Sequence, residues 1–466
     1  MINQLYTFIL LFGLLCFTGC NEEDEPQPIT VNFTNTSVGI STDNPQVTVS
    51  ITFSRPAATS GTLNISVNSN NLTYGQDQDF YTNPAANNNT LALNYRAGDD
   101  GLSFEVLAGT ARNIQQDEQV VFSIDPQANT EVLVGINPTL SLTFSENFIA
   151  LSGTVELNGG NQGSSINLNQ AFFDLSKLLQ TTVDKKSWDI GFYTASGEHR
   201  VVLNGSAGVM ARPLNKNDLN AVTVQDTVGF AALMTIPPPG FDASIGSVAW
   251  IDAPDGDLSK TAFGNISATD TNNQVFIVKD ATGTAWKKVR VLQNGANYTL
   301  QYADIEGTSF NTLTITKNQD YNHIFFDFTN GIVSVEPPKD QWDLMYGSYT
   351  EILNVGGPGA DIPYSFNDYI ILNRDQVSVA MVMTSAVSYE DFGISDLAAL
   401  TFSSKTNAIG ASWRQGGGPS SPPALYSDRF YVINDTQGNI YKLKFTRLTS
   451  TSGQRGYPEF IYEKVQ

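Results

Sequence analysis

Residues 172–175 read FFDL and residues 188–192 read WDIGF. Similar motifs recur later in the chain, FFDF at 325–328 and WDLMY at 342–346. In both places an aromatic pair followed by aspartate precedes a Trp-Asp dipeptide that opens an apolar run. The spacing between the two phrases is nearly the same each time. A repeat of this kind indicates two copies of one folding unit. A core Trp with a hydrogen-bonding Asp beside it is the favoured interpretation of each Trp-Asp pair.

A second motif, Asp-x-x-Gly, also occurs twice, each time at nearly the same distance after the Asp of a Trp-Asp pair. Asp280 opens DATG 91 residues after Asp189, and Asp435 opens DTQG 92 residues after Asp343. Each stretch lies between two alternating apolar segments. Such a sequence predicts a hairpin, because Asp caps the turn and Gly accepts a positive φ.

The stretch from 29 to 148 consists of short segments with period-two alternation, such as 47–53 and 61–67, separated by Asn, Gly and Asp. This pattern predicts antiparallel strands with one buried face. The predicted fold class is therefore all-β: an N-terminal β-sandwich followed by a duplicated, mostly antiparallel β module. Helix signals are few and short, at 217–220 and at 395–400, where Ser395 is a candidate cap.

The predicted domain organisation has five parts. They are a lipoprotein signal peptide (1–19), an acidic tether (20–28), a β-sandwich (29–148), a first repeat (149–308) and a second repeat (309–466).

The composition excludes several classes of function. The chain carries 25 basic and 46 acidic residues, a net charge of −21, which disfavours nucleic acid as a partner. Two Cys and two His leave little material for zinc sites or Cys/His catalysis. No Gly-x-Ser-x-Gly or phosphate-binding loop occurs, so the chain is not expected to be an enzyme.

The N-terminus indicates export and a lipid anchor. Residues 8–15 (FILLFGLL) form an apolar core too short to span a bilayer. Residues 17–20 (FTGC) resemble a bacterial lipobox, in which Cys20 would receive the lipid. The acidic run at 21–25 resembles the signal that displays Bacteroidetes lipoproteins on the outer face of the outer membrane; a solvated linker is the alternative. The expected location is the outer membrane, lipid-anchored and facing the exterior.

The N-terminal region also resembles a Calx-β or Ig-like sandwich, through residues 74–80, 91–95 and 117–124. Calx-β domains can bind calcium with clustered carboxylates, which makes calcium a candidate ligand. The favoured alternative is that these carboxylates accept backbone hydrogen bonds in turns. The candidate calcium ligands are Asp77, Asp79, Asp99, Asp117 and Glu118.

The C-terminal two thirds resemble the HmuY-like lipoproteins of Bacteroidetes. The residues that carry the resemblance are 187–192, 200–204, 342–344, 429–445 and 453–460. The resemblance implies a mostly β fold and a surface lipoprotein that binds haem for iron or porphyrin uptake, with an outer-membrane transporter as partner.

A haem site needs an apolar slot and soft or imidazole axial ligands. The candidate axial ligands are His199, Met210, Met234, Met381 and Met383. Met381 and Met383 would share one face of a strand, although two such Met often belong to a core. His323 is expected at the surface or in a hydrogen bond.

The expected function is capture of an extracellular ligand, haem or a related porphyrin, without chemistry. The alternative is a glycan-binding, adhesive or partner-docking lipoprotein on the same fold. Exposed aromatic side chains would serve a glycan, and Trp250 and Trp413 are the candidates, although each could equally be buried.

Overall fold

The computed structural model describes residues 28–112, 114, 118–125, 132–163, 165–230, 247–354, 356, 361–416 and 422–466. Cys20, Asp117 and Met234 lie outside the described residues. The described chain forms two compact units, one running to Thr34 and then from Thr42 to Leu142, and the other comprising Asn35–Ser41 and Thr143–Gln466. Within this described part, no helix is long and apolar enough to cross a membrane.

The first ten strands are β1 (Ile29–Phe33), β2 (Ser37–Ile40), β3 (Gln46–Phe53), β4 (Gly61–Asn68), β5 (Phe80–Asn83), β6 (Thr90–Tyr95), β7 (Gly101–Ala108), β8 (Glu118–Ile124), β9 (Val132–Val134) and β10 (Thr139–Phe144). Within the first unit, one sheet has the order β5–β7–β3–β1–β9 and the other has the order β10–β8–β4–β6.

These two sheets face each other across one core. In β4 the side chains of Leu63, Ile65 and Val67 are buried while their neighbours are more exposed, as the period-two pattern predicts. Phe104 of β7 and Phe122 of β8 meet between the sheets, with ring centroids 5.2 Å apart. The predicted β-sandwich is present.

The second unit contains twenty-two further described strands and six short 3₁₀ helices. The strands are β11 (Ser152–Glu156), β12 (Asn161–Gln162), β13 (Ser165–Ile166), β14 (Asn169–Asp174), β15 (Leu179–Asp184), β16 (Ile190–Tyr193), β17 (Val201–Leu203), β18 (Ala211–Leu214), β19 (Val275–Lys279), β20 (Trp286–Asn294), β21 (Asn297–Asp304), β22 (Asn311–Ile315), β23 (His323–Asp327), β24 (Gly331–Val333), β25 (Leu344–Asn354), β26 (Asp361–Leu372), β27 (Ser378–Met383), β28 (Arg414–Gln415), β29 (Ala424–Leu425), β30 (Arg429–Asn434), β31 (Ile440–Thr449) and β32 (Arg455–Lys464). The 3₁₀ helices are Leu219–Ala221, Val224–Thr227, Val248–Trp250, Leu258–Lys260, Asp270–Asn272 and Ile394–Ala399.

Four main sheets build this unit, as two related pairs. The five-stranded sheets have the orders β18–β19–β20–β21–β22 and β11–β32–β31–β30–β27. The four-stranded sheets have the orders β17–β16–β23–β24 and β15–β14–β25–β26. Together with the sandwich, this architecture confirms the all-β fold class.

The two copies exchange strands. The FFD strand of the first copy, β14, pairs with the Trp-Asp strand of the second, β25, with Phe173 opposite Leu344. Reciprocally, β23 of the second copy pairs with β16 of the first, with Phe326 opposite Ile190. One further strand on the N-terminal side of each FFD strand is exchanged as well, since β11 pairs with β32 and β22 pairs with β21.

The exchange divides the unit into two main hydrophobic cores. One core contains buried side chains from Ile190 to Phe328. The other combines side chains from Phe148 to Leu175 with side chains from Leu344 to Tyr462. The core built mainly from the first copy therefore contains the FFD strand of the second copy, and the core built mainly from the second copy contains that of the first.

Both predicted hairpin turns are present. Asp280 accepts the backbone N–H of Thr284 at 2.8 Å, and Asp435 accepts that of Asn439 at 2.7 Å. Gly283 and Gly438 have φ values of +76° and +86°, which an L side chain rarely adopts.

The helix signals correspond to single 3₁₀ turns. Asp218 caps Leu219–Ala221 by accepting the N–H of Asn220 at 2.9 Å. The prediction that Ser395 caps the second turn is wrong: the turn begins one residue earlier, and the Asp396 carboxylate accepts the N–H of the capping residue, Gly393, at 2.9 Å.

Candidate functional site

The Asp of each Trp-Asp pair ties the two copies together. Asp189 accepts the backbone N–H of Phe328 in the exchanged strand segment and that of Ala281 in its own hairpin, both at 2.6 Å. Asp343 accepts the equivalent N–H groups of Leu175 at 2.7 Å and Thr436 at 2.9 Å. These aspartates are structural, as predicted.

Burial raises the pKa of the two Trp-Asp carboxyl groups and of Asp174. The pKa of Asp189 rises to about 6, because loss of solvent outweighs the hydrogen bonds from Phe328 and Ala281. The pKa of Asp174 also rises to about 6 through burial, and that of its neighbour Asp343 rises well above its ordinary value.

Four aromatic rings meet where the copies join. Trp188 of the first copy packs edge-on against Phe325 of the second, with ring centroids 4.6 Å apart. The reciprocal pair, Trp342 and Phe172, has centroids 5.0 Å apart. All four side chains belong to one buried cluster between the two main cores.

A cavity of about 100 Å³ lies against this cluster, within the second unit. The aromatic cluster forms one wall, and the segment around Asp252–Leu258 and Arg374 forms another. A dry engineered cavity that binds benzene measures about 150 Å³, so this one accepts only a small group and is too small to enclose a porphyrin.

Three residues of the cavity lining each carry a buried polar atom that has no hydrogen-bond partner among the described residues. These atoms are Ser206 Oγ, His323 Nε2 and Trp342 Nε1. Their residues are 2%, 9% and 4% exposed. Buried polar groups are nearly always paired, so a cluster of three unpaired ones marks a place where a ligand or ordered water can bind.

The predicted pair Met381 and Met383 lies on β27, the last strand of its sheet. Met381 is 49% exposed and Met383 is partly exposed, while Val382 between them points into a separate buried cluster. The two thioethers therefore share the accessible face of the strand.

A cation lies beside these two methionines. Arg429 is opposite Met383 in the register of β27 and β30, and its Nη1 is 4.0 Å from Met381 Sδ. The guanidinium also stacks over Tyr426, 4.0 Å from the ring centroid, and pairs with Asp428 at 2.8 Å. We call Met381, Met383, Tyr426 and Arg429 the methionine face.

The two other described candidates for haem ligation, His199 and Met210, lie away from the methionine face. His199 is 7% exposed and packs edge-on against Tyr298 with ring centroids 5.0 Å apart. Burial lowers its pKa, so the ring is neutral at pH 7. Met210 is fully buried in a different cluster. The structure therefore does not bring His199 and Met210 together.

His323 is buried rather than at the surface. It begins β23, its Nδ1 is 3.9 Å from Glu336 Oε1, and its backbone N–H donates to the same oxygen at 2.8 Å. Burial lowers its pKa, so this ring too is neutral at pH 7.

The described candidate calcium ligands mainly serve turns and an ion pair. Asp79 accepts the N–H of Thr73 at 2.7 Å, and Asp99 accepts that of Arg96 at 2.7 Å. Glu118 pairs with Arg112, and Asp77 is exposed. Among the residues that the structure describes, no group of three or more His, Cys, Asp or Glu side chains is placed to hold a metal ion.

Neither candidate glycan-stacking Trp is freely exposed. Trp413 is 1% exposed and stacks on Phe445 with ring centroids 4.3 Å apart. Exposure and burial of Trp413 were equally open from the sequence, and the structure places its ring in one of the main cores. Trp250 is half-buried between Phe230 and Arg212.

Sequence reasoning missed the cavity at the junction of the copies and the contribution of Arg429. The signal for the cavity was the duplication itself, since two similar units in one chain bury a shared surface. The signal for Arg429 was its place directly before the apolar segment that leads into the Asp435 turn.

The family model described as HmuY protein matches residues 166–306 and again 318–462. These matches cover more than half of the chain, which therefore belongs to the HmuY family and contains two copies of the family's unit.

No curated protein matches the chain. Weakly similar solved structures include the apo form of the Calx CBD1 domain, 13% identical, covering 25% of this chain and 94% of that one, with a TM-score of 0.20. Another is a two-domain protein of unknown function from Bacteroides fragilis, 7% identical, covering 40% of this chain and 75% of that one, with a TM-score of 0.20.

Proposed function

We propose that this HmuY-family chain is an exported lipoprotein that captures haem or a related porphyrin at the methionine face and performs no chemistry on it. In this proposal Cys20 carries the lipid that anchors the protein to the outer membrane, facing the exterior. An outer-membrane transporter receives the ligand. Family membership supports binding of this kind of ligand.

The observation that carries the proposal is the accessible pair of thioethers beside a guanidinium. Haem iron accepts Met as an axial ligand, and the propionates of haem pair with cations such as Arg. Met381 and Met383 would hold the iron, and Arg429 would hold a propionate. The cavity at the junction of the copies is too small for this role.

The test is an absorbance titration of the soluble chain beginning at Asn21 with ferric and ferrous haem. We expect a saturable 1:1 shift of the Soret band that is lost in the Met381→Ala/Met383→Ala double variant. Arg429→Gln should weaken binding about tenfold, because it removes the charge that pairs with a propionate.

Met210→Leu is the matched control, because it replaces a fully buried Met by a side chain of similar volume and should leave the titration unchanged. His199→Ala tests an imidazole as the axial ligand instead. Loss of the shift in that variant alone would move the site to His199. An absence of any shift in both redox states rejects haem capture.

A further inference from the structure

The two copies differ at one position beside equivalent tryptophans. In the first copy the Gln170 side chain accepts the indole N–H of Trp188 at 2.7 Å. Counting back from the FFD phrase, His323 occupies the position of Gln170 in the second copy. Both His323 and Trp342 line the cavity, and His323 Nε2 and Trp342 Nε1 are buried and lack a partner among the described residues.

The two unpaired atoms, Trp342 Nε1 and His323 Nε2, define which hydrogen-bonding groups a ligand must supply. Trp342 Nε1 can only donate a hydrogen bond, so it requires an acceptor. In the tautomer that directs its Nδ1 proton toward Glu336, neutral His323 presents Nε2 as an acceptor and requires a donor. A group with one acceptor and one donor would satisfy both atoms, and in the first copy the chain uses an amide oxygen for the same indole.

The charge of the lining disfavours an anion. The carboxylates of Asp252, Asp257 and Glu336 line the cavity together with the single guanidinium of Arg374. The aromatic wall favours a flat or methyl-bearing group. Asp257, Leu258 and Arg374 are partly exposed, so this side of the cavity reaches solvent.

We propose that this cavity binds a neutral amide group the size of acetamide, whose oxygen accepts from Trp342 Nε1 and whose N–H donates to His323 Nε2. The methyl end lies against the aromatic rings of the junction, and Ser206 Oγ can give the oxygen a second hydrogen bond. The amide can come from an acetylated amino sugar or from a peptide side chain. This site is separate from the methionine face and does not depend on haem.

The experiment follows the five tryptophan indole N–H signals of the ¹⁵N-labelled chain beginning at Asn21, with the Trp342 signal assigned by Trp342→Phe. Acetamide is the probe, and acetate, which has the same shape and a negative charge, is its control. We expect a saturable downfield shift of the Trp342 signal with acetamide and at least tenfold weaker binding of acetate.

Two matched variants separate ligand binding from folding. His323→Gln gives Trp342 the internal amide that Trp188 already has, so acetamide should no longer shift its signal. His199→Gln makes the same change at a buried His outside the cavity and should leave the response intact. Both variants should keep the haem titration of the wild type, which distinguishes failure of this site from failure of haem capture.

Two further comparisons identify the source of the amide. N-acetylglucosamine against glucose tests an amino sugar, and Gly-Gln-Gly against Gly-Glu-Gly tests a peptide side chain. No saturable shift with acetamide, or an equal shift in His323→Gln, would overturn the proposal and leave water as the occupant.

Discussion

The carboxylate of Asp189 accepts the backbone N–H of Phe328 at 2.6 Å, although 139 residues separate them in the chain. The equivalent bond joins Asp343 to Leu175 at 2.7 Å across 168 residues. Each aspartate thus fixes the end of an FFD strand that belongs to the other copy. The same residue holds its own hairpin, so a single side chain connects both parts of a core.

Asp189→Ala should destabilise the second unit strongly. It removes two hydrogen bonds to a charged acceptor and leaves the buried N–H groups of Ala281 and Phe328 unpaired, at a cost of about 4 kcal/mol. Thermal unfolding followed by circular dichroism measures the loss. Asp77→Ala, at an exposed aspartate, should change stability by less than about 0.5 kcal/mol. Equal effects of the two substitutions would refute the role of Asp189.

The stability of the second unit should depend on pH through these carboxyl groups. The pKa of Asp189 is raised to about 6 in the folded state, so the folded protein holds a proton that the unfolded chain loses near pH 3.8. This contribution is fully present below about pH 3.8 and is lost as the pH rises through 6. The neutral His199 and His323 act in the opposite direction, because their lowered pKa values favour unfolding as the pH falls below 6.5.

Asp189→Asn isolates the carboxyl contribution. Between pH 5 and pH 7.5 the wild type should lose about 1 kcal/mol more stability than the variant. The reason is that about one pH unit of this range lies below the Asp189 pKa of about 6, where the folded protein still holds the proton. Urea unfolding at the two pH values measures the difference. The same slope in both proteins would show that Asp189 does not titrate in this range.

Fragments should reveal the strand exchange. A fragment of residues 187–336 contains a complete core, including the exchanged strands β22 to β24, and should unfold cooperatively. A fragment of residues 187–308 ends with the first repeat and lacks Ile315, Phe326 and Phe328. Loss of these side chains, each worth about 2 kcal/mol of burial, removes a large part of a typical domain stability. We expect no cooperative transition for the shorter fragment; a sharp one would show that the exchanged strands are dispensable.

Trp413→Ala should act on stability and not on glycan retention. The ring is buried against Phe445, so the substitution leaves a cavity and costs about 3–5 kcal/mol. Affinity electrophoresis on polysaccharide should give the same mobility for variant and wild type at a temperature where both are folded. Retardation of the wild type that disappears in the variant would restore Trp413 as a glycan contact.

The sequence predicted the features that depend on near neighbours. Alternation along β4 and the Asp-x-x-Gly turns at Gly283 and Gly438 follow from local chemistry. The sequence also predicted that Asp189 and Asp343 form hydrogen bonds, but their partners lie in distant segments. The shared face of Met381 and Met383 follows from the period of a strand. The capping residue of Ile394–Ala399 was misplaced by two positions, because Ser395 and Asp396 both suit the start of a turn and the neighbouring Gly393 was free to adopt the cap conformation.

The sequence by itself determined the all-β class, the duplication and several of the strands, because alternating apolar residues and turn residues specify them. Only the tertiary structure decided which copy each FFD strand completes, because β14 and β23 carry nearly the same pattern and either could pair with either Trp-Asp strand. It also decided that Trp413 is buried and that Trp342 and His323 share a cavity. Burial and unpaired polar atoms arise where distant segments pack together, and no local pattern of residues specifies that packing.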